Sequence, residues 1–458
     1  MNLSVIILAA GQGTRMRSKL PKVLHPLGGQ SLLGHVIDTA RALDAVAIHV
    51  VVGHGGDRVR DDLAAFPVKW VEQSRQLGTG HAVAQAAPMI PADHLALVLY
   101  GDVPLISADT LRRLIAAAGE GALGLLTAHL VDPSGYGRII RDAQGDVIAI
   151  VEHKDTSIEQ RDINEINTGM LAVKADYLQQ WVAKLDNNNS QGEYYLTDVI
   201  AMAVRDGIAV KTVYPNSNAE ILGVNTKAQL AELERVYQLQ QAKRLMVEGA
   251  TLRDPARLDV RGEVTIGHDV SLDINVVCEG KVIIGNDVEI GANTYLRDVV
   301  IGDGVVIRPN SVIEEAEIGA GCRIGPFARI RPGTRLAAEV HIGNFVEIKK
   351  AVVEAGSKIN HLSYVGDATV GARVNIGAGT ITCNYDGANK YQTVIEDDVF
   401  VGSDTQIVAP VTLGAGATIG AGSTITKDAP PGELSLSRVP QQTRKGWKRP
   451  VKKAKSDK

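Results

Sequence analysis

Three near-continuous apolar runs mark the first half of the chain: Leu3–Leu8, Val46–Val52 and Leu95–Leu99. Runs this unbroken predict strands buried on both faces, because a strand with one wet face alternates apolar and polar positions. Between them the apolar positions switch to helical spacing, as over Leu32–Leu43 and Thr79–Ala87. This alternation predicts an α/β, doubly wound (Rossmann-like) unit with a parallel sheet, whose ligands bind beyond the carboxyl ends of the strands. Chemistry is therefore expected just past Leu8 and Leu99.

From Thr226 to about Glu248 the pattern predicts one long polar helix, with Gly249 as its C-cap. Beyond it the period changes to six. Ile318, Ile324, Ile330, Leu336, Ile342 and Ile348 fall six apart, as do Val401, Ile407, Leu413, Ile419 and Ile425. Gly often follows the aliphatic residue, as at Ile284-Gly285 and Ile419-Gly420. An inward aliphatic and a corner Gly every six residues, sustained over roughly 170 residues, are the signature of a parallel β-helix. Three hexapeptides, about 18 residues, make a triangular coil, and coils stack about 4.8 Å apart. The break at Cys383–Thr393 reads as a loop ejected from the helix. The domains read as 1–227, a helical linker at 228–248, and the β-helix with a basic tail at 249–458.

Composition agrees with stacked coils of small residues. The 458 residues include 47 Gly but only 3 Trp, 4 Phe and 11 Tyr. A net charge of −4 is too balanced for a dedicated polyanion binder, so nucleic acid is not expected as a partner. Three cysteines (Cys278, Cys322, Cys383) without CxxC spacing argue against a disulfide framework or a structural zinc site. The apolar run Val5–Ala10 is too short for a signal segment or a membrane span, which needs about 20 residues. No membrane insertion is expected, and the cytoplasm is the default location.

After the first strand comes Leu8-Ala9-Ala10-Gly11-Gln12-Gly13-Thr14-Arg15-Met16, then Pro21-Lys22. Small residues let backbone N–H groups approach an anionic ligand, and Arg15 and Lys22 add two cations. Met16 stands where a dinucleotide fingerprint wants Gly, and no Gly-Lys-Ser/Thr follows for a P-loop. Tyr100-Gly101-Asp102 ends a buried strand, putting a carboxylate where Mg²⁺ could bind. Gln73 with Gly78-Thr79-Gly80 supplies a second small, polar loop.

In the β-helix the hexapeptide rule breaks at Arg331 and Lys349, which replace the corner Gly after Ile330 and Ile348. Departures from a repeat concentrate at functional or strained sites. The two lie one coil apart and should stack, which costs stability unless an anion sits between them. A solvated edge is the bland alternative; a phosphate site is the sharper one. His361 follows Ile359 by two positions, on the outer face of a coil near the cation pair. Ser403 and Ala421, with Gly379 and Gly422, form a column of small residues suited to a thin ligand such as a pantetheine arm.

The set Leu8–Arg15, Pro21-Lys22, Gly78-Thr79 and Tyr100–Asp102 resembles the sugar-nucleotide pyrophosphorylases. Nearly end to end, and above all at Pro21-Lys22-Val23-Leu24-His25, the chain is similar to the bacterial bifunctional N-acetylglucosamine-1-phosphate uridylyltransferase/glucosamine-1-phosphate N-acetyltransferases. One departure is Gln30-Ser31, where the family commonly has Lys-Pro. The resemblance implies a nucleotidyltransferase domain followed by a left-handed parallel β-helix. It implies that Leu8, Ala9, Ala10, Gly11, Lys22, Gln73, Gly78, Thr79, Tyr100, Gly101, Asp102, Gly137, Glu152, Asn167 and Asn225 line a UTP and sugar-phosphate site. Asp102 and Asn225 would hold Mg²⁺, although an Asn before a helix is more often its N-cap. Arg331, Lys349, Tyr364, Asn375 and Lys390 would bind glucosamine 1-phosphate. Ala378, Asn384, Tyr385, Ser403, Ala421 and Arg438 would bind acetyl-CoA, with His361 as general base.

The two implied reactions differ in what they demand. In uridylyl transfer the nucleophile is a phosphate already ionised at neutral pH, so positioning and positive charge suffice, from Arg15, Lys22 and Mg²⁺. In acetyl transfer the sugar amine must shed a proton, a task that suits histidine. The implied product, UDP-N-acetylglucosamine, is a precursor for peptidoglycan and lipopolysaccharide. A homotrimer is expected, since a triangular solenoid has flat faces that pack about a threefold axis. Asn384, Tyr385 or Lys390 could then complete a neighbour's site. The tail from Arg438 carries nine Lys or Arg against one Asp, a solvated terminus in which Arg438 would meet CoA phosphates. Two alternatives remain: a sugar-1-phosphate nucleotidyltransferase whose β-helix only regulates or oligomerises, and a β-helical scaffold. Arg331, Lys349 and His361 argue against the first, Gly11–Arg15 and Asp102 against the second.

Overall fold

The structure, a computed structural model, describes residues 2–119 and 121–452. It divides into two compact units. One takes in the chain up to Lys243 together with Val260–Gly262; the other takes in Arg244–Asp259 and the chain from Glu263 onward. The division falls inside the long helix, which spans Lys227–Val247.

The first unit is built on β1 (Leu3–Ala9), β2 (Ala47–Val52), β3 (Lys69–Glu72), β4 (Leu95–Tyr100), β5 (Leu123–His129), β6 (Glu165–Lys174) and β7 (Val210–Val213), in the sheet order β7-β5-β6-β4-β1-β2-β3. All seven residues of β1 are buried, because helices cover both faces. Val5, Ile7 and Ala9 pack with Leu33, Val36 and Ile37 of α1 (Leu32–Arg41). Ile6, Leu8 and Ala10 belong to the opposite core, with Ala82, Val83 and Ala86 of α2 (Thr79–Ala86). The period of two along the strand thus assigns side chains alternately to the two helical layers. Ser31, part of the departure at Gln30-Ser31, caps α1 by accepting the Gly34 N–H at 3.1 Å.

The sheet is not all parallel as the alternation predicted. Strand β6 runs antiparallel to both β4 and β5, and an antiparallel hairpin of Arg138–Arg141 and Val147–Val151 extends from it. Strand β1 has parallel neighbours on both sides, Leu8 being level with Val51 of β2 and Tyr100 of β4. Chain connections diverge there, leaving a crevice at the carboxyl ends of β1 and β4.

In the second unit parallel strands stack in long ladders. Successive coils are 17 or 18 residues apart: Ile301 pairs with Ile318, and Ile330 with Ile348. The six-residue aliphatics point inward, Ile324, Ile330 and Ile348 being fully buried. Each such side chain contributes about 1.5–3 kcal/mol by burial. The Gly that follows is a steric requirement, since a Cβ on Gly319 would come within 2.5 Å of the Ala337 backbone in the next coil. Where the period breaks, Ile376 pairs with Val401, 25 residues on. The excess is the ejected loop, closed by the Tyr391 N–H donating to the Asn384 carbonyl at 2.9 Å.

Candidate active sites

In the first unit the loop after β1 lies over Lys22. A Cβ on Gly13 would stand 2.7 Å from the Lys22 Cβ, so only glycine permits that approach. The Lys22 ammonium donates to the Asp102 carboxylate and, at 3.2 Å, to Asn225 Oδ1. Arg15 donates to the same Asn225 oxygen at 3.0 Å. The backbone brings these residues together, for the Val224 N–H donates to the Asp102 carbonyl at 3.0 Å. Asn225 is not the cap of the long helix. Thr226 is: its hydroxyl accepts from Gln229 N–H at 3.2 Å, and Gln229 Oε1 accepts from Thr226 N–H. The Asn225 side chain is thereby left to the cations.

These residues border a cleft of about 320 Å³ that includes Leu8, Ala9, Ala10, Gly11, Lys22, Gln73, Gly78, Thr79, Tyr100 and Asp102. Gln73 is buried and donates to the Gly78 carbonyl at 3.2 Å. Beside the cleft, Tyr100, Asn167, Gly169 and Thr197 line a small recess. Gly137 and Glu152 adjoin it: the Asn167 N–H donates to the Gly137 carbonyl at 2.8 Å, and Thr197 donates to Glu152 at 3.1 Å. Burial pushes the Glu152 carboxyl up, against the Thr197 hydrogen bond, with Asp198 and Asp155 adding to the rise. Gln76, Glu193 and Thr197 also line these spaces. Sequence reasoning missed all three; Gln76 shares the Gln73–Gly78 loop, but the other two lie in a stretch without a pattern.

Two protein oxygens, from Asp102 and Asn225, converge on one cationic nitrogen. Hard oxygen donors converging this way fit Mg²⁺, which keeps waters and borrows phosphate oxygens.

In the β-helix, Arg331 and Lys349 do stack, through the pairing of Ile330 with Ile348. Their mutual repulsion is partly offset within the chain. Arg331 donates to Glu347 at 2.7 Å, and Lys349 lies 3.9 Å from Asp367. Asp367 also accepts from the buried Asn384 amide. The adjacent Lys349 pulls the Lys390 ammonium below the ordinary lysine range, which places Lys390 in the same cluster. Tyr364 is level with Glu347, and its hydroxyl lies over Gly366, which is level with Lys349. Asn375 stands on another face, in register with Lys358 and Phe400.

His361 ends the strand Lys358–His361 and precedes the corner that leads to Tyr364. It is exposed, and its Nδ1 lies 2.9 Å from Asn344 Oδ1. An amide oxygen only accepts, so the contact favours, for the neutral ring, the tautomer with Nδ1 as donor and Nε2 as acceptor. From His361 the corner runs through the coils as a backbone column. Gly379 N–H donates to the His361 carbonyl, Asp404 N–H to Ala378, and Gly422 N–H to Ser403. Arg438 closes it, its Cδ 3.7 Å from where a Gly422 Cβ would stand. Asn344, Glu347 and Asp367 went unread in the sequence, because each acts on a partner a full coil away. The end of the basic tail, 453–458, lies outside the described residues.

A cleft for a nucleotide on one sheet and a hexapeptide-repeat column on a β-helix define a nucleotidyltransferase joined to a hexapeptide transferase. Three family models match: the MobA-like NTP transferase domain over residues 5–158, the GMPPB C-terminal domain over 260–344, and six bacterial transferase hexapeptide repeats over 392–427. The chain is 61% identical over 454 residues to the bifunctional protein GlmU of Nitrosospira multiformis, covering 99% of each chain. It is 60% identical to that of Pseudomonas entomophila over the whole of both chains, and 60% identical to that of an Azoarcus species over 98% of this chain and all of the relative. The chain belongs to the bifunctional GlmU family.

Proposed function

We propose that the protein makes UDP-N-acetylglucosamine in two steps, one in each unit. The β-helix acetylates glucosamine 1-phosphate with acetyl-CoA. The first unit then transfers UMP from UTP to N-acetylglucosamine 1-phosphate and releases pyrophosphate. The observation that supports the bifunctional reading is the His361–Asn344 hydrogen bond, which would leave the other ring nitrogen as an acceptor at the corner leading into the Tyr364–Gly366 strand. A β-helix that only regulates or oligomerises has no use for it.

In acetyl transfer, Arg331, Lys349 and Lys390 hold the sugar phosphate at one end of the Tyr364–Gly366 strand, and Tyr364 packs against the sugar. The 2-amine then faces His361 at the other end. His361 Nε2 takes a proton from the amine as it attacks the thioester carbonyl, and CoA leaves as the thiol. The pantetheine arm lies along Ala378, Ser403 and Ala421, with Arg438 toward the CoA phosphates. Asn384 and Tyr385 border the acetyl-CoA side, and Asn375, in register with Lys358 on the strand face that ends at His361, serves glucosamine 1-phosphate from that side.

In uridylyl transfer, the backbone of Leu8–Gly11 cradles UTP phosphates, Gln73 and Gly78 border the base, and Gly137, Glu152 and Asn167 hold the sugar. When bound, Mg²⁺ supplies charge neutralisation on the phosphate oxygens, held by Asp102 and Asn225. Arg15 and Lys22 stabilise the charge that builds as the sugar phosphate displaces pyrophosphate at the α-phosphorus. The domain boundaries 1–227, 228–248 and 249–458 divide these tasks, with the long helix as connector.

The working form is a homotrimer in the cytoplasm. Within one chain Asn384 and Lys390 lie against Asp367 and Lys349; Tyr385 donates its hydroxyl to the Gly387 carbonyl of its own loop but leaves its ring exposed, the surface offered to a neighbour. Among the described residues no helix is long and apolar enough to cross a membrane. Incubation with glucosamine 1-phosphate, acetyl-CoA, UTP and Mg²⁺, followed by mass analysis, should yield UDP-N-acetylglucosamine, CoA and pyrophosphate. A product lacking the acetyl group would leave only the nucleotidyltransferase.

A further inference from the structure

Both oxygens assigned to the divalent ion are already engaged by the chain's own cations. Lys22 Nζ donates to Asp102 Oδ2 and lies 3.2 Å from Asn225 Oδ1, on which Arg15 also rests at 3.0 Å. The Lys22 and Asp102 side chains are only 13% and 16% exposed, so water offsets little of their attraction. The fold builds this contact deliberately: Gly13 lets the loop ride over Lys22, and the Val224–Asp102 backbone bond fixes Asn225 beside it. Lysine carries its charge on a flexible stem with three rotatable donors. Lys22 lines the same cleft as Leu8–Gly11, where the triphosphate is assigned, so a phosphate bound there would compete with the carboxylate for its ammonium.

We propose that Lys22 is a stand-in cation for the metal site, and that it couples divalent-ion binding to nucleotide binding. Without nucleotide, Lys22 neutralises Asp102 in a poorly solvated cleft and keeps divalent ions out. An incoming triphosphate draws Lys22 away and delivers its own ion to the vacated oxygens. The ion therefore enters with UTP rather than before it. This inference rests on the assignment of Asp102 and Asn225 as metal ligands.

Its test uses Mn²⁺ alone on the full-length chain without nucleotide, with bound ion measured from the electron paramagnetic resonance of free Mn²⁺. Wild type should bind weakly, and Lys22→Met should bind one Mn²⁺ at least about tenfold more tightly, equivalent to ~1.4 kcal/mol. The gain should vanish in Lys22→Met/Asp102→Asn. Lys22→Arg, which keeps the charge, should stay closer to wild type than to Lys22→Met. Equal affinity in wild type and Lys22→Met overturns the proposal, as does an arginine variant that binds as tightly as the methionine one. Mn²⁺ binding in the presence of UTP separates the two levels of the argument. If Asp102→Asn weakens it while Lys22→Met leaves the nucleotide-free affinity unchanged, the ligand assignment stands and the stand-in role fails. If Asp102→Asn leaves it unchanged, both fall.

Discussion

Nδ1 of His361 lies 2.9 Å from Oδ1 of Asn344, its register neighbour one coil earlier. This bond favours the tautomer in which Nε2 can accept a proton. His361→Ala should therefore cost acetyl transfer about 10²–10⁴-fold, with uridylyl transfer unchanged. The deficit should shrink as pH rises, because more of the substrate amine is already free. Asn344→Ala should cost about tenfold, ~1.4 kcal/mol in the barrier, by freeing the ring to turn or switch tautomer. Initial rates of CoA release check both. Equal losses in the two variants would mean that Asn344 does more than orient the ring.

Asp367 holds two groups assigned to different substrates, Lys349 for the sugar phosphate and Asn384 for acetyl-CoA. Its substitution by alanine should raise KM for both while kcat falls less. A lost hydrogen bond to a charged group is worth roughly 1.5–3 kcal/mol at most, so increases of about tenfold are expected. Steady-state kinetics with each substrate varied in turn would show it. A change confined to acetyl-CoA would mean that Lys349 keeps its place without Asp367.

Much of this architecture was legible because stacked coils repeat a physical demand every six residues. Ile330 and Ile348 must fill the core, so Arg331 and Lys349 were identifiable as exceptions from spacing alone. The counterions Glu347 and Asp367 were not, since pairing across coils leaves no local trace. Asn225 shows the same limit: the chain order permitted a helix cap, and only the Thr226–Gln229 hydrogen bonds reassign that task. The antiparallel direction of Glu165–Lys174 was invisible for a related reason. A buried strand reads as apolar in either direction, and only its pairing with Leu95–Tyr100 decides.

His49 is buried in β2, level with Lys69 of β3, and neither ring nitrogen has a hydrogen-bond partner among the described residues. Burial, with Lys69 adding to it, holds its pKa below the ordinary 6.5. The unfolded chain thus binds the proton more readily. The stability tied to neutral His49 is full above about pH 6.5 and is lost as pH falls toward the folded value. Guanidinium unfolding at pH 7.5 and 5.5, followed by tryptophan fluorescence, should show weaker stability at the lower pH. His49→Val should lessen that difference; an unchanged difference would assign it to other groups, such as His35, which burial also lowers.

The proposed trimer predicts a light-scattering mass three times that of the 48.7 kDa chain. Tyr385→Ala should then impair acetyl transfer more than uridylyl transfer. A monomeric mass with acetyl transfer intact would remove any role for a neighbouring subunit.

The central claim is that two reactions run at two independent sites, and product analysis of Asp102→Ala tests it most directly. Asp102 is the one charged protein ligand assigned to the metal, so its loss should stop uridylyl transfer and leave the β-helix untouched. Incubated with glucosamine 1-phosphate, acetyl-CoA, UTP and Mg²⁺, the folded variant should accumulate N-acetylglucosamine 1-phosphate, with no UDP-sugar detectable by mass. UDP-N-acetylglucosamine at the wild-type rate, or loss of the acetylated intermediate along with it, would contradict the account.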